Sequence, residues 1–248
     1  MKEISKEISK DIHGHSTLDR LSKASHFNNW IYQTIKPWIH GKVIEIGSGI
    51  GNITSMIAMD GFQVMITETD ETYLEILKRK FEDVNSITQI LSLDLVDPDF
   101  DLKFQHLFQS FDTVIAINVI EHIEDDLTAF DNAQKFLKQN GRLIVLVPNG
   151  SLLYNRLDRN LSHFRRYSEE KINNRLNKIG LTRERFFYFN TIGIVGWLFS
   201  GNILRNKTIP SVMVNIFEFL IPYTSWLDKL FKNQFGLSII VIGKKGEV

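Results

Sequence analysis

Cysteine is absent from the 248-residue sequence. Its absence excludes disulfide bonds, thiolate metal sites and a cysteine nucleophile, and it fits a reducing compartment. An excess of positive charge is also missing, because 29 lysine and arginine residues balance 29 aspartate and glutamate residues. Proteins that bind nucleic acid rely on many positive side chains facing phosphates, so we expect no nucleic-acid partner.

Long apolar runs are missing as well. No run reaches the roughly 20 residues that a membrane-spanning helix needs. The sequence begins with the charged and polar residues MKEISKEISK, whereas a signal peptide has an apolar stretch near its start. We therefore expect a cytoplasmic protein, and the length is sufficient for one domain with a well-buried core.

Short apolar runs alternate with helix-patterned stretches, which predicts βαβ units and a parallel sheet covered on both faces. The predicted strands are Val43–Ile46, Val64–Thr67, Ile87–Leu91, Val114–Ile117, Leu143–Val147, Arg185–Phe189 and Ser238–Ile242. The predicted helices are Leu21–Ile39 with an end near Lys36, Ile53–Met59, Tyr73–Phe81, Leu127–Leu137 with Gly141 as its C-cap, and a helix from Ser168 to Gly180.

The predicted organisation has three parts. Residues 1–40 form an N-terminal arm and helix, and residues 41–248 form one domain. Within that domain, residues 191–235 are rich in Ile, Leu, Phe and Trp and are too many for a simple loop. We expect this insert to form helices that cap a pocket. A dimer interface and a contact with a membrane surface are alternatives, and the sequence leaves the oligomeric state undetermined.

A glycine-rich turn follows the first predicted strand. Its glycines, Gly47, Gly49 and Gly51, allow positive φ angles and close approach of a ligand to the backbone. A turn that binds nothing is the alternative. The dinucleotide-binding pattern spaces its glycines as G-x-G-x-x-G, which differs from the spacing here. Glu45, before the first glycine, suits a ligand with an ammonium group better than one with phosphates.

Polar residues also follow the next three strands. Because the carboxyl ends of parallel strands meet at one edge of a sheet, these residues are expected to line one crevice with the glycine turn. An acid about 20 residues after the turn accepts hydrogen bonds from ribose hydroxyls, which is the role predicted for Glu68. The other candidates are Thr69 beside it, Asp94 and Leu95 after the third strand, and Asn118 and Val119 after the fourth.

With these residues the chain resembles the class I S-adenosylmethionine-dependent methyltransferases, over roughly residues 27–189 and the final strand. The resemblance implies an α/β, Rossmann-like, doubly wound and mostly parallel seven-stranded sheet with an antiparallel last strand. It also implies that S-adenosylmethionine is the cofactor. Its methionine part would lie on Glu45, Gly47, Ser48, Gly49 and Gly51, its ribose on Glu68 and Thr69, its adenine on Asp94 and Leu95, and its methyl end near Asn118 and Val119.

The segment NVIEHIEDD resembles the small-molecule branch of that superfamily, and the sequence lacks the N/D-P-P-Y/F signature of nucleic-acid amino methylases. The loop after the fifth strand is similar to bacterial methyltransferases that are often encoded beside glycosyltransferases. Those proteins usually have glycine where Ser162 stands. The acceptor is therefore expected to be a small molecule, such as a sugar or an anionic or lipid-linked metabolite.

Catalytic and acceptor-binding roles are predicted for five residues. His122 and His163 are candidate general bases, with a cofactor contact or a helix-start residue as the alternative for His122. Tyr167 either hydrogen-bonds the acceptor or packs. Arg165 and Arg166 either grip an anionic acceptor or pair with nearby acids, Asp158 among them. No metal site is predicted.

Two other functions are compatible with a glycine turn after a strand. One is an NAD(P)-dependent oxidoreductase, which the glycine spacing and Glu45 disfavour. The other is a non-catalytic module that binds S-adenosylmethionine without turnover.

Overall fold

The computed structural model describes residues 24–203, 211–224, 226–230 and 234–246. Seven strands form one sheet in the order β3-β2-β1-β4-β5-β7-β6. Strand β7 pairs antiparallel with both β5 and β6, and the other pairs are parallel, which confirms the predicted fold. The strands are β1 (Val43–Ile46), β2 (Val64–Glu68), β3 (Ile87–Ser92), β4 (Phe111–Ile117), β5 (Leu137–Pro148), β6 (Leu181–Phe189) and β7 (Ser238–Lys245).

Helices cover both faces of the sheet. Successive residues of a buried strand point to opposite faces, so Val43 joins one core cluster and Ile44 the other. Helices α1–α3 pack on the Val43 face, and α4, α5 and α7 pack on the Ile44 face. The helices are α1 (Ser25–Ile35), α2 (Asn52–Met59), α3 (Glu71–Lys80), α4 (Phe100–Phe104), α5 (Asp126–Lys135), α6 (Arg156–Asn160), α7 (Glu169–Lys178), α8 (Gly193–Leu198), α9 (Ser211–Thr224) and α10 (Trp226–Leu230).

Helix α1 corresponds to the helix predicted over Leu21–Ile39. Residues 1–23, which include the predicted arm and the first residues of that helix, lie outside the described residues. The helix ends at Ile35, and a 3-10 turn follows over Lys36–Trp38. Lys36 keeps helical backbone (φ −47°, ψ −43°) and Pro37 lies inside the 3-10 turn, so the α-helix ends close to the predicted residue while the chain continues to coil for one more turn.

The end of α5 differs from the prediction. The helix ends at Lys135, and β5 already begins at Leu137, so Gly141 lies within a strand and is not a helix cap. Leu137 fits the helical apolar pattern of Leu127–Leu137 because it is also a core residue, but it belongs to the strand and not to the helix. Asn140, with φ 64°, adopts the left-handed conformation that the sequence assigned to Gly141.

Helix α7 has both predicted boundaries. The Ser168 side chain accepts a hydrogen bond from the backbone N–H of Lys171, as an N-cap does. Gly180 follows the helix with φ 72°, and its N–H donates to the Asn177 carbonyl. This helix presents Ile172 and Leu176 to the core.

The insert contains α8, a π-helical turn over Phe199–Ile203, α9 and α10. Glu218 of α9 accepts hydrogen bonds from the backbone N–H groups of His26 and Phe27, both at 2.9 Å, which joins the insert to α1. Asp228 accepts from the backbone of Asn190 at 2.7 Å. Pro210 and Phe231 lie outside the described residues, and the role of the insert as a cap stays a prediction.

None of the helices in the described ranges combines the length and the apolar character that crossing a membrane requires.

Candidate active site

The turn after β1 is built from three glycines in left-handed conformations. Gly47, Gly49 and Gly51 have φ angles of 63°, 55° and 75°. The turn is closed by a hydrogen bond from the Gly51 N–H to the Ser48 carbonyl at 2.9 Å. It is tied to β2 by a bond from the Ser48 N–H to the Thr67 carbonyl at 3.0 Å. Residues with a Cβ adopt these angles less readily, so three of them in one turn favour glycine.

Glu45 lies buried beneath this turn. Its carboxylate accepts a short hydrogen bond from the Thr54 hydroxyl, on the first turns of α2. Burial raises the pKa of Glu45 to about 7, against the lowering effects of the hydrogen bond from Thr54 and of the Lys80 charge. Lys80 itself donates to the carbonyls of Ile50 and Gly51, both at 2.9 Å, so it holds the turn from the far side.

Glu68 connects the ends of β1 and β2. One of its carboxylate oxygens accepts from the Gly49 N–H at 2.8 Å, and the other accepts from the Thr69 N–H at 2.7 Å. The Asp70 N–H also donates to the second oxygen, at 3.2 Å. These bonds fix the carboxylate at the carboxyl edge of the sheet, directly beside the glycine turn.

The segment after β3 reaches the same edge. The Leu93 N–H donates to the Glu68 carbonyl at 3.3 Å. Asp94 is exposed, and its carboxylate accepts from the Val96 N–H at 2.9 Å. Leu95 is buried, and its carbonyl accepts from the Asn132 side chain at 2.7 Å. Asp94 thus presents its carboxylate to solvent beside Glu68, while Leu95 anchors the segment in the core.

The segment after β4 completes this edge. Asn118 adopts a left-handed conformation with φ 54°, and its N–H donates to the Leu146 carbonyl at 2.9 Å. Val119 packs against the glycine turn, because a Cβ placed on Gly47 would lie only 2.6 Å from a Val119 methyl. Strands β1 and β4 are neighbours at the point where the strand order reverses, which is where open α/β sheets bind ligands.

Three ionisable side chains cluster just beyond Val119. Glu121, His122 and His163 each place a potential ligand atom within 4.8 Å of the others. The imidazole rings of His122 and His163 meet edge to face with centroids 4.8 Å apart. Loss of hydration around the ring lowers the pKa of His122, and electrostatic repulsion from His163 lowers it further. Part of the His122 side chain is nevertheless exposed to solvent.

Glu121 is the most buried member of the cluster, with 1% of its surface exposed. Neither of its carboxylate oxygens accepts a hydrogen bond from any residue in the described ranges. Burial raises its pKa to about 7, and the nearby His163 and Arg166 act in the opposite direction. A buried carboxylate without hydrogen bonds is costly, so this position is unusual in a folded core.

His163 is oriented by a buried carboxylate. Its Nδ1 lies 2.9 Å from an Asp158 oxygen, which also accepts from Nε of Arg166 at 2.9 Å. Asp158 and Arg166 are both buried, and Arg166 also donates to the Asn149 carbonyl at 3.0 Å. A hydrogen bond from Nδ1–H to a carboxylate leaves Nε2 of His163 with a free lone pair.

Comparison with known proteins shows what this arrangement is similar to. Residues 44–143 match the family model described as a methyltransferase domain. The matched segment is part of a methyltransferase domain, and its fold is the one found in S-adenosylmethionine-dependent methyltransferases. The match begins in β1 and ends in β5, so it includes the glycine turn and the segments after β2, β3 and β4.

Individual relatives of the methyltransferase domain are distant. Probable polyketide synthase 42 of Dictyostelium discoideum is 29% identical over 145 residues, which are 50% of this chain and 5% of that protein. Probable ribosomal RNA small subunit methyltransferase A of Methanosarcina barkeri is 30% identical over 82 residues, 32% of this chain and 29% of that protein. This chain therefore spans only a small part of either relative.

Solved structures share the fold of the methyltransferase domain. An S-adenosylmethionine-dependent methyltransferase from Archaeoglobus fulgidus superposes with a TM-score of 0.57 at 15% identity, over 88% of this chain and 94% of that one. The left-handed glycine turn and the fixed Glu68 are compatible with S-adenosylmethionine, because glycine leaves the backbone open to close approach and a carboxylate accepts hydrogen bonds from ribose hydroxyls. The individual cofactor contacts of the predicted residues stay predictions.

Tyr167 and Arg165 both have hydrogen-bond partners within the protein. Tyr167 is fully buried, and its hydroxyl donates to Asp126 at 2.8 Å, which is the packing alternative of the sequence prediction. Arg165 donates to the carbonyls of Ile123 and Glu124 at 2.8 and 2.5 Å. Arg166 forms an ion pair with Asp158, which is the alternative that the sequence analysis gave to binding an anionic acceptor. The structure thus gives all three a partner within the protein.

Glu121 and Asp158, which contribute to this site, had no catalytic role in the sequence prediction. Glu121 stands in NVIEHIEDD, and an acid beside a histidine directly after a buried strand is a signal that was available. Asp158 was considered only as a partner for arginine. Its contact with His163 depends on the turn at Ser162, which has φ 61°, and no local pattern in the sequence predicts that contact.

Proposed function

We propose that this domain methylates a hydroxyl group of a small-molecule acceptor, with S-adenosylmethionine as donor. The observation that carries the proposal is the cluster of Glu121, His122 and His163 beyond the end of β4. It adjoins Val119, which packs on the cofactor turn, so an acceptor at the cluster would be next to the methyl end of the predicted cofactor site.

Methyl transfer depends mainly on alignment. Bound S-adenosylmethionine supplies a methyl group that is already activated by its sulfonium. The acceptor oxygen bonds to the methyl carbon as the sulfur–carbon bond breaks, and the electron pair of that bond stays on sulfur. The protein has to hold the reacting atoms in line, which is catalysis by proximity.

An oxygen nucleophile needs a group that accepts its proton, whereas an amine nucleophile does not. A hydroxyl must lose its proton during the reaction, whereas an amine has only to arrive uncharged. A buried carboxylate and two imidazoles in one cluster are groups that assist proton removal, and a site for an amine would not require them. This argument favours a hydroxyl acceptor.

Three observations bear on the class of acceptor. The net charge of zero disfavours RNA, despite the ribosomal RNA methyltransferase among the relatives. The polyketide synthase relative fits a small molecule. An anionic acceptor would have to displace internal partners of Arg165 and Arg166, so a neutral acceptor such as a sugar or polyketide hydroxyl is favoured.

A lipid-linked acceptor, with contact between the insert and a membrane, is a weaker version of the same proposal. Its support is an exposed apolar stripe on α9, formed at helical spacing by Val212, Ile216, Phe219 and Tyr223. Co-sedimentation with vesicles tests it, and a Phe219→Ser, Tyr223→Ser variant should lose any binding that the stripe provides.

The proposed function is tested by measuring S-adenosylhomocysteine release with matched acceptors. Phenol and aniline differ only in the nucleophile, and a monosaccharide panel and a short RNA extend the comparison. We expect release with hydroxyl acceptors and none with the aniline or the RNA. Equal release with the aniline would contradict the choice of oxygen. Tight cofactor binding without release for any acceptor would instead support a non-catalytic binding module.

A further inference from the structure

We propose that Glu121, His122 and His163 form a binding site for a divalent transition-metal cation, such as Zn²⁺ or Co²⁺, beside the acceptor position. The three side chains bring one potential ligand atom each to within 4.8 Å of one another. One carboxylate and two imidazoles with a further position open are the ligand set of many catalytic zinc sites. The sequence had predicted no metal site.

The first argument is the state of Glu121. Its carboxylate is almost fully buried, and both oxygens lack a hydrogen-bond partner among the described residues. Burying such a group without compensation is unfavourable, and a buried charge is normally paired or bound to a metal. A cation at the cluster would supply the missing partner.

The second argument is the support behind His163. Histidines that bind metals usually donate their other ring N–H to a carboxylate, which fixes the ring and its tautomer. The Asp158 contact at Nδ1 of His163 has this form, and Arg166 holds Asp158 in place from the other side. Nε2 of His163 therefore keeps its lone pair for a ligand bond.

The third argument is distance. Ligand atoms about 2.0–2.2 Å from a tetrahedral cation lie about 3.3–3.6 Å from one another, somewhat closer than the present limit of 4.8 Å. A shift of the His122 ring, which is exposed at its surface, would make this adjustment. Nitrogen and oxygen ligands in this ratio suit a borderline cation such as Zn²⁺ or Co²⁺ better than Mg²⁺, which prefers oxygen alone.

A cation at this position would deepen the proposed function, and in that sense the inference rests on it. The acceptor oxygen would occupy the open coordination position and lose its proton more readily there. Under this inference His122 and His163 act as metal ligands, and neither is the general base predicted from the sequence.

The test is Co²⁺ titration of the full chain, followed by its visible absorption bands. His13 and His15 are changed to Ala in every sample, so that the histidines of the N-terminal segment do not bind the probe. We expect one Co²⁺ per chain. Glu121→Gln and His163→Ala should each weaken binding at least tenfold, and Asp158→Asn by about 10–100-fold. His106→Ala, outside the cluster, should leave binding unchanged.

Acetohydroxamate, an oxygen chelator, should shift the Co²⁺ bands by entering the open position. Equal Co²⁺ binding in wild type and Glu121→Gln, or no binding in either, would overturn the inference. Calorimetry with S-adenosylhomocysteine separates this result from failure of the proposed function. If this nucleotide binds normally and Co²⁺ does not, only the metal site is refuted. If the nucleotide does not bind, the methyltransferase proposal fails as well.

Discussion

The Glu68 carboxylate accepts a hydrogen bond from the backbone N–H of Gly49 at 2.8 Å, across a separation of 19 residues. This bond locks the end of β2 to the turn after β1. The same carboxylate also accepts from the Thr69 and Asp70 N–H groups, so one acid organises two adjoining turns of the predicted cofactor site.

Replacing Glu68 should therefore weaken the cofactor site. Glu68→Gln removes the charge and replaces one accepting oxygen by a donor, so we expect affinity for S-adenosylhomocysteine to fall about 10–100-fold, as measured by calorimetry. The control is Glu71→Gln, an exposed acid in the following helix, which should bind as wild type does. Unchanged affinity in Glu68→Gln would remove this residue from the cofactor site.

Gly47→Ala should destabilise the protein through a steric clash with Val119. The new Cβ would lie 2.6 Å from a Val119 methyl, in addition to occupying a positive φ. Gly61→Ala is the matched control, because Gly61 has φ 84° but nothing lies within 4 Å of the position that its Cβ would occupy. In urea unfolding, we expect Gly61→Ala to lower the free energy of unfolding by about 1 kcal/mol and Gly47→Ala to lower it clearly more. Adding Val119→Ala should restore part of the difference.

The buried Glu45 predicts a pH dependence of stability. Its pKa is about 7 in the folded protein and 4.5 when unperturbed, so the folded state binds more protons between these values. The free energy of unfolding should consequently fall as the pH rises from 4.5 to 7, by on the order of 2–3 kcal/mol from this group. Glu45→Gln should remove that part of the fall.

Thr54→Val provides the second arm of this test. The Thr54 hydroxyl stabilises the ionised carboxylate, so its removal should raise the pKa of Glu45 further and steepen the loss of stability toward neutral pH. Identical pH profiles for wild type and Glu45→Gln, from urea unfolding at pH 5 and pH 8, would contradict the assignment.

Ser162→Gly should stabilise the fold. Ser162 has φ 61°, a conformation that costs a non-glycine residue about 1 kcal/mol, and glycine would relieve it. Ser92→Gly, at the exposed end of β3, should instead lower stability slightly because it adds only backbone freedom. Thermal or urea unfolding distinguishes the two, and a loss of stability in Ser162→Gly would show that its side chain matters more than its backbone.

Tyr167→Phe separates packing from catalysis. The variant loses only the hydroxyl that donates to Asp126, which still receives hydrogen bonds from Arg175 at 2.9 and 3.1 Å. We expect stability to fall by about 1–2 kcal/mol and the rate of methyl transfer to stay within about twofold of wild type. A much slower transfer at unchanged stability would restore the catalytic role predicted from the sequence.

The sequence was sufficient for the sheet and for the edge where the polar residues meet, because glycine spacing and apolar alternation are local properties. It was insufficient where conformation depends on distant packing. Asn118, Asn140 and Ser162 adopt positive φ angles without being glycine. The end of α5 was misplaced because Leu137 continues the helical apolar pattern from within β5. The contact between His163 and Asp158 joins two loop positions whose approach is set by Arg166, a buried residue that composition alone places at the surface.

The insert leaves and rejoins the sheet at one place, since Phe189 at the end of β6 pairs directly with Ser238 at the start of β7. The backbone bond from Leu237 to the Asn190 carbonyl, at 3.1 Å, closes this junction. A segment whose two ends are already adjacent can change in length without displacing either strand. If the insert caps the acceptor pocket as predicted, its exchange for a segment of different length would alter the choice of acceptor while the sheet stays unchanged.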